Sequence, residues 1–149
     1  MGGARGRSFR ILPRMAIRIV RLGSGRSRGE GLRIGTVRRP PRGVPKSALS
    51  SRNYYDVWLP ILAPSEALLR ESREALRSED PRPWRRFVRR FRAEMASPDA
   101  RRSIELLAAL SHRTELSVGC YCADEERCHR SVLRGLLAAA GAAISSEEG

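Results

Sequence analysis

Apolar and polar positions change period along the chain, and each change marks an element. From Ala16 the run AIRIVRL sets Ile17 and Ile19 against Arg18 and Arg21, a strand that GSGRSRGEG follows as a loop. Leu32 to Val37 reads as a second short strand, running directly into RRPPRGVPK. In NYYDVWLPILAPS, residues 53–65, Tyr55, Val57, Leu59 and Ile61 alternate with Asp56, Trp58, Pro60 and Leu62. Pro60 excludes a helix interior, so this stretch is expected to be extended, mostly buried and at a sheet edge. Pro64 and Ser65 then open a helix with Leu68, Leu69, Ala75 and Leu76 on its apolar side, broken between Ser78 and Pro83. Trp84, Phe87, Val88, Phe91 and Met95 form the stripe of a second helix. A third, Asp99 to Ser111, buries Ile104, Leu107, Ala108 and Leu110. Strand period returns at Leu116, Val118, Cys120 and Cys122, and Val132, Leu133, Leu136 and Leu137 then recur at helical spacing. Strands separated by helices predict an α/β domain: a small central sheet of about four strands covered by helices, ending in a strand-loop-helix unit.

At 149 residues the chain is one domain by length, expected over 15–141. Residues 1–14, rich in Gly and Arg and without period, are expected to be a disordered basic tail, and 142–149 a flexible one. Met15 opens the first regular pattern and competes with Met1 as the start of translation. The amino terminus lacks the apolar core of a signal peptide, and the longest apolar run, Leu136 to Ile144, is too short to span a bilayer. Three cysteines crowded between positions 120 and 128 do not resemble a secreted disulfide framework. The expectation is a cytoplasmic protein without membrane contact.

Formal net charge is +13, and its distribution changes the picture. Residues 1–52 hold fourteen basic side chains against one acid, Glu30, while the remainder is balanced at fifteen against fifteen. Clustered guanidiniums suit nucleic acid, through counterion release. Against that, Lys46 is the only lysine beside twenty-eight arginines, which looks like a compositional bias, and no aromatic is interleaved between Arg14 and Arg42. Both readings stay open.

The candidate chemistry lies in the last strand-loop-helix unit, LSVGCYCADEERCHRSVLRGLL. A helix starting near Cys128 leaves unpaired N–H groups and partial positive charge at that end, which attracts anions and stabilises a thiolate. His129 and Arg130 add donors there, whereas Asp124, Glu125 and Glu126 just before it would oppose a thiolate. Cys120 or Cys122 could resolve an oxidised Cys128. Cys120, Cys122, Cys128 and His129 would also supply four atoms for tetrahedral zinc. Their spacing argues otherwise: C-x-C is not the usual C-x2-C knuckle, and adjacent Cys128 and His129 are hard to aim at one ion. A packed scaffold, with Cys120 a small buried hydrophobe, is the bland alternative. In Arg38 to Lys46, Pro40, Pro41 and Pro45 hold arginines on a stiff frame at a strand end, suited to a carboxylate or phosphate.

Five stretches carry a resemblance: IRIVRLG, RRPPRGVPK, YDVWLPILAPS, FRAEM and GCYCADEERCHRSVLRGLL. In that order they resemble the successive motifs of the domain-of-unknown-function family DUF 488, over residues 15–140. The family's terminal pattern of a cysteine, an acidic loop and Cys-His-Arg is matched by Cys120, Cys128, His129 and Arg130. Its arginine-proline segment is matched by Arg39, Pro41, Arg42 and Gly43, and Phe91 stands where many members carry Tyr. The resemblance implies a cytosolic α/β domain without an established activity, and that the arginine turn and the Cys-His-Arg loop form one site. The resulting expectation is an anion pocket for a phosphate-bearing or carboxylate small molecule. Arg39, Arg42 and Arg130 would hold charge, and Cys128, His129 and Cys120 would carry any chemistry. No cofactor and no metal ligand are assigned, and whether the site is enzymatic stays open. The alternative is a zinc-binding or nucleic-acid-associated module without catalysis.

Overall fold

A computed structural model describes residues 15–146; the expected amino-terminal tail, 1–14, lies outside them. Four strands, β1 (Ile17–Arg21), β2 (Leu32–Gly35), β3 (Val57–Trp58) and β4 (Leu116–Cys120), form one parallel sheet in the order β1-β4-β2-β3. Four helices follow the sheet's needs: α1 (Glu66–Arg77), α2 (Arg82–Met95), α3 (Pro98–Leu110) and α4 (His129–Ala139). This is the α/β architecture expected from the sequence.

β4 sits between β1 and β2, and all five of its residues are buried, as a central parallel strand requires. All four helices pack on one face. There Ile17, Ile19, Ile34 and Val118 meet Leu68 of α1, Phe87 and Phe91 of α2, Ile104 and Leu107 of α3 and Leu133 and Leu137 of α4. Connecting segments cover the other face, where Val20 and Leu22 pack with Val37, Leu49 and Tyr55, and with Cys120 and Cys128. Two glycines make that second layer fit. Gly35 and Gly119 are partners in register, and a Cβ on Gly35 would lie 2.4 Å from the Tyr55 ring. A Cβ on Gly119 would lie 2.7 Å from the Leu22 side chain and 2.8 Å from the Val20 carbonyl oxygen. Side chains and backbone therefore approach the sheet more closely here than any larger residue allows.

Several boundaries differ from the periodic reading. β4 stops at Cys120, and Cys122 lies in the loop beyond. β2 ends at Gly35, although Thr36 still donates to the Gly119 carbonyl at 3.0 Å before the chain turns away. Of the stretch 53–65 only Val57 and Trp58 pair with the sheet; they are 42% and 43% exposed, while Tyr55 and Leu62 are buried. Pro60, which has no N–H to give a ladder, opens a short 3-10 turn over Pro60–Leu62 instead. α1 starts where the cap residue Ser65 accepts from the Leu68 amide at 3.3 Å, and Glu94 of α2 accepts from the Ser65 amide at 2.8 Å. From the stretch expected as a carboxyl-terminal tail, residues 143–145 run beside β1: Ile17 N donates to Ala143 O and Ser145 N to Ile17 O, each at 2.8 Å. Residues 147–149 lie outside the described ones. Among the described residues no helix is long and apolar enough to cross a membrane.

Candidate functional site

The strands run parallel, so the carboxyl ends of β1, β2 and β4 share one edge, where open α/β sheets bind ligands. Three segments leave that edge. Leu22 to Ser24 follow β1, the arginine-proline turn follows β2, and the sulfur loop follows β4. Together with α1 and the start of α2 they enclose a cavity of about 1040 Å³. Arg39 and Arg42 line it, and so do Cys120, Cys122, Cys128 and His129.

Each chemical group is fixed by backbone. Cys128 precedes α4 in extended conformation (φ −127°, ψ 153°) as its cap residue, with no capping bond from its side chain. His129 opens the helix. One ring nitrogen, Nε2, lies 2.7 Å from the Thr36 carbonyl oxygen; a carbonyl only accepts, so Nε2 carries the proton. The other, Nδ1, is then an acceptor, 3.7 Å from Cys128 Sγ. Thr36 itself is held by its hydroxyl, which donates to the Gly119 carbonyl at 3.0 Å. The Phe91 ring meets the imidazole edge-on, with centroids 5.6 Å apart.

The three sulfurs are free thiols at the mouth of one loop. Cys120 Sγ lies 3.7 Å from Cys122 Sγ. The neighbouring thiols of Cys120 and Cys122 and, after them, His129 hold the Cys128 thiol well below the ordinary range despite burial. The Cys120 thiol is pushed far up by the neighbouring Cys122 and Cys128 and by burial. Two acids of the loop have partners of their own. Glu125 pairs with Arg134 (Nε–Oε1 2.7 Å), and Asp124 accepts from the Glu126 amide at 3.0 Å.

Not every expected residue reaches the cavity. Arg130 does not line it: the guanidinium is buried and donates to the Cys122 carbonyl at 2.5 Å, bracing the sulfur loop from behind. Among the other arginines, Arg38 donates to the carbonyls of Pro64 and Ala63 at 2.9 and 3.0 Å, anchoring the turn to the start of α1. Arg39 pairs with Glu66 at 2.5 Å on the open side. Of the geometric objection to a metal, the part about aiming Cys128 and His129 at one ion fails, while Cys122 stays outside the cluster. The Cys120 and Cys128 sulfurs and a His129 ring nitrogen all lie within 4.8 Å of one another, because strand end and helix start face each other across the loop.

Two groups carry the site without having stood out in the sequence. Tyr121 donates its hydroxyl to the Arg39 carbonyl at 3.0 Å, and its own carbonyl accepts from Arg21 Nε at 3.2 Å. It ties the sulfur loop to the arginine turn. Arg70 and Arg73 of α1 also line the cavity. Glu66, Leu69, Arg70, Arg73 and Leu76 make one helical stripe, so their shared direction was present in the spacing.

The family model of DUF488-N3a, described as the active DUF488-N3 subclade, matches residues 17–141. The chain belongs to the DUF488 family. No curated protein and no solved structure matches it. The match begins at β1 and ends just past α4, so it takes in every strand and helix of this DUF488 domain. Both the arginine turn and the sulfur loop fall inside it.

Proposed function

We propose that this DUF488 domain binds a small anionic molecule, phosphate- or carboxylate-bearing, and acts on it through Cys128. The observation carrying this reading is that Arg39 and Arg42 line the same cavity as Cys128 and His129, although nearly ninety positions separate the two segments. Guanidiniums would hold the anion's charge by paired hydrogen bonds. His129 Nδ1 would take the Cys128 proton, leaving Sγ with a free electron pair as nucleophile. Cys120 would stay a thiol and steady the Cys128 sulfur.

Brief treatment with iodoacetamide at neutral pH, followed by peptide mass mapping, tests this. Cys128 is only 2% exposed and Cys122 considerably more, so exposure alone favours Cys122. The expected result is Cys128 modified first, and more slowly in His129→Ala. Modification of Cys122 first, with Cys128 inert, would contradict the reading.

A second reading has its own support in the convergence of Cys120, Cys128 and His129. A His129 held through Nε2 by a backbone carbonyl leaves Nδ1 free, the arrangement of a histidine metal ligand. Two sulfurs and one nitrogen beside a cavity would leave a fourth position open to a ligand. Metal analysis separates the two: about one zinc per chain, lost in Cys128→Ser, supports the metal centre.

A further inference from the structure

The cavity holds more positive charge than one simple anion neutralises. Among the described residues seven arginines line it, Arg38, Arg39 and Arg42 from the turn, Arg70 and Arg73 from α1, and Arg21 and Arg127, against one carboxylate, Glu66. Arg38, Arg39 and Arg21 already have partners in Pro64, Glu66 and Tyr121. Arg42, Arg70, Arg73 and Arg127 have no carboxylate partner among the described residues. Four uncommitted guanidiniums around one hollow match a chain of phosphates better than a single one.

The same wall carries aromatic rings. Trp84, half-buried at the start of α2, lines the cavity, and its indole is stacked on Phe87 (centroids 4.9 Å, planes 20° apart). Phe87 is in turn stacked on Phe91 at 5.9 Å. This backing takes one face of the indole, and the other has no aromatic partner among the described residues. Tyr54 and Tyr121 line the hollow too, edge to face at 6.3 Å. Rings and guanidiniums that are scattered in the sequence are therefore gathered around one space, the combination by which proteins hold nucleotides, with bases on aromatic faces and phosphates on arginine.

We infer, building on the anion-pocket reading, that the ligand is a phosphorylated nucleoside. Its phosphates lie among Arg42, Arg70 and Arg73, and its base lies against Trp84. A cavity of about 1040 Å³ gives room for such a molecule beside the sulfurs.

Calorimetric titration of the full chain with ATP, inorganic tripolyphosphate and a 5′-phosphorylated oligothymidylate tests the inference. Stacking should make ATP bind about tenfold tighter than tripolyphosphate. Trp84→Leu, which keeps apolar bulk and is checked for folding by circular dichroism, should remove that advantage and leave tripolyphosphate affinity unchanged. The Arg70→Ala, Arg73→Ala double variant should weaken both. An oligothymidylate that displaces ATP and binds more tightly supports the inference with a strand end as the source. Tripolyphosphate binding as tightly as ATP, or Trp84→Leu weakening both equally, would overturn the nucleoside while leaving the anion pocket standing. Failure of ATP, tripolyphosphate and the oligothymidylate alike would overturn the nucleoside and, with it, the phosphate form of the anion pocket.

Discussion

On one face of the sheet, Ile17, Ile19, Ile34 and Val118 meet four helices whose buried residues recur every three or four positions. On the other, Val20, Leu22 and the glycine pair meet Val37, Leu49 and Tyr55, from connecting segments outside the helices. The first face is a packed hydrocarbon layer held by local helical repeats. The second is held by single anchors. Arg33, fully buried, donates to the Ser24 and Asn53 carbonyls at 2.9 and 2.7 Å and pairs with buried Glu30 at 2.9 Å. The difference teaches that the helical layer supplies stability, and the irregular layer supplies the places where backbone carbonyls and turns can position chemistry.

The comparison can be broken most sharply at Leu133, fully buried in the helical layer. Leu133→Ala should cost about 2–5 kcal/mol in urea unfolding. A cost no larger than that of truncating site residues would mean the two layers do not differ in this way. Gly119→Ala probes the opposite layer by overfilling it. Forcing a Cβ against the Val20 carbonyl and Leu22 should cost about 1–3 kcal/mol, and should also disturb sulfur reactivity through Cys120 next to it. Tyr121→Phe removes only the bond to the Arg39 carbonyl, so a stability loss of about 0.5–1.5 kcal/mol is expected, with a clear fall in anion affinity. An unchanged affinity would show that the turn and the loop are positioned independently.

The smallest effect concerns pH. Burial pushes the Asp56 carboxyl up, but bonds from Arg26, Ser50 and the Arg33 amide outweigh it and hold the group at about 2. A carboxylate depressed in the folded state stabilises above its ordinary pKa, and that contribution is lost as pH falls through roughly 4 towards 2. Asp56→Asn should flatten this acid limb when urea midpoints are compared between those pH values.

The helical layer was legible because burial in a helix leaves a period: Leu68, Phe87, Phe91, Ile104 and Leu133 all stood in the stripes read from the chain. The sulfur loop and the arginine turn were legible as chemistry, from residue type and from their places at strand ends. What the periodic reading missed is non-local. β3 is the edge strand that Pro60 pointed to, but it pairs through two residues only, and alternation does not reveal the exposure of Val57 and Trp58 that follows. The inward turn of Arg130 to the Cys122 carbonyl depends on a loop path that no spacing encodes. The difficulty of aiming Cys128 and His129 at one ion disappears because the His129 ring is turned by Thr36, ninety-three positions away. Arg70 and Arg73 went unnoticed because arginines on an exposed helix face are ordinary in a chain with twenty-eight of them.

The convergence of arginine turn and sulfur loop on one ligand is tested most directly by protection of Cys128. Iodoacetamide labelling of Cys128 is followed with increasing tripolyphosphate, in the unaltered chain and in an Arg39→Ala, Arg42→Ala double variant. The expected result is saturable slowing of Cys128 modification that needs several-fold more tripolyphosphate in the double variant, while its labelling without tripolyphosphate is unchanged. Cys128 modified at the same rate at every tripolyphosphate concentration, or protected equally in the double variant, would contradict the account.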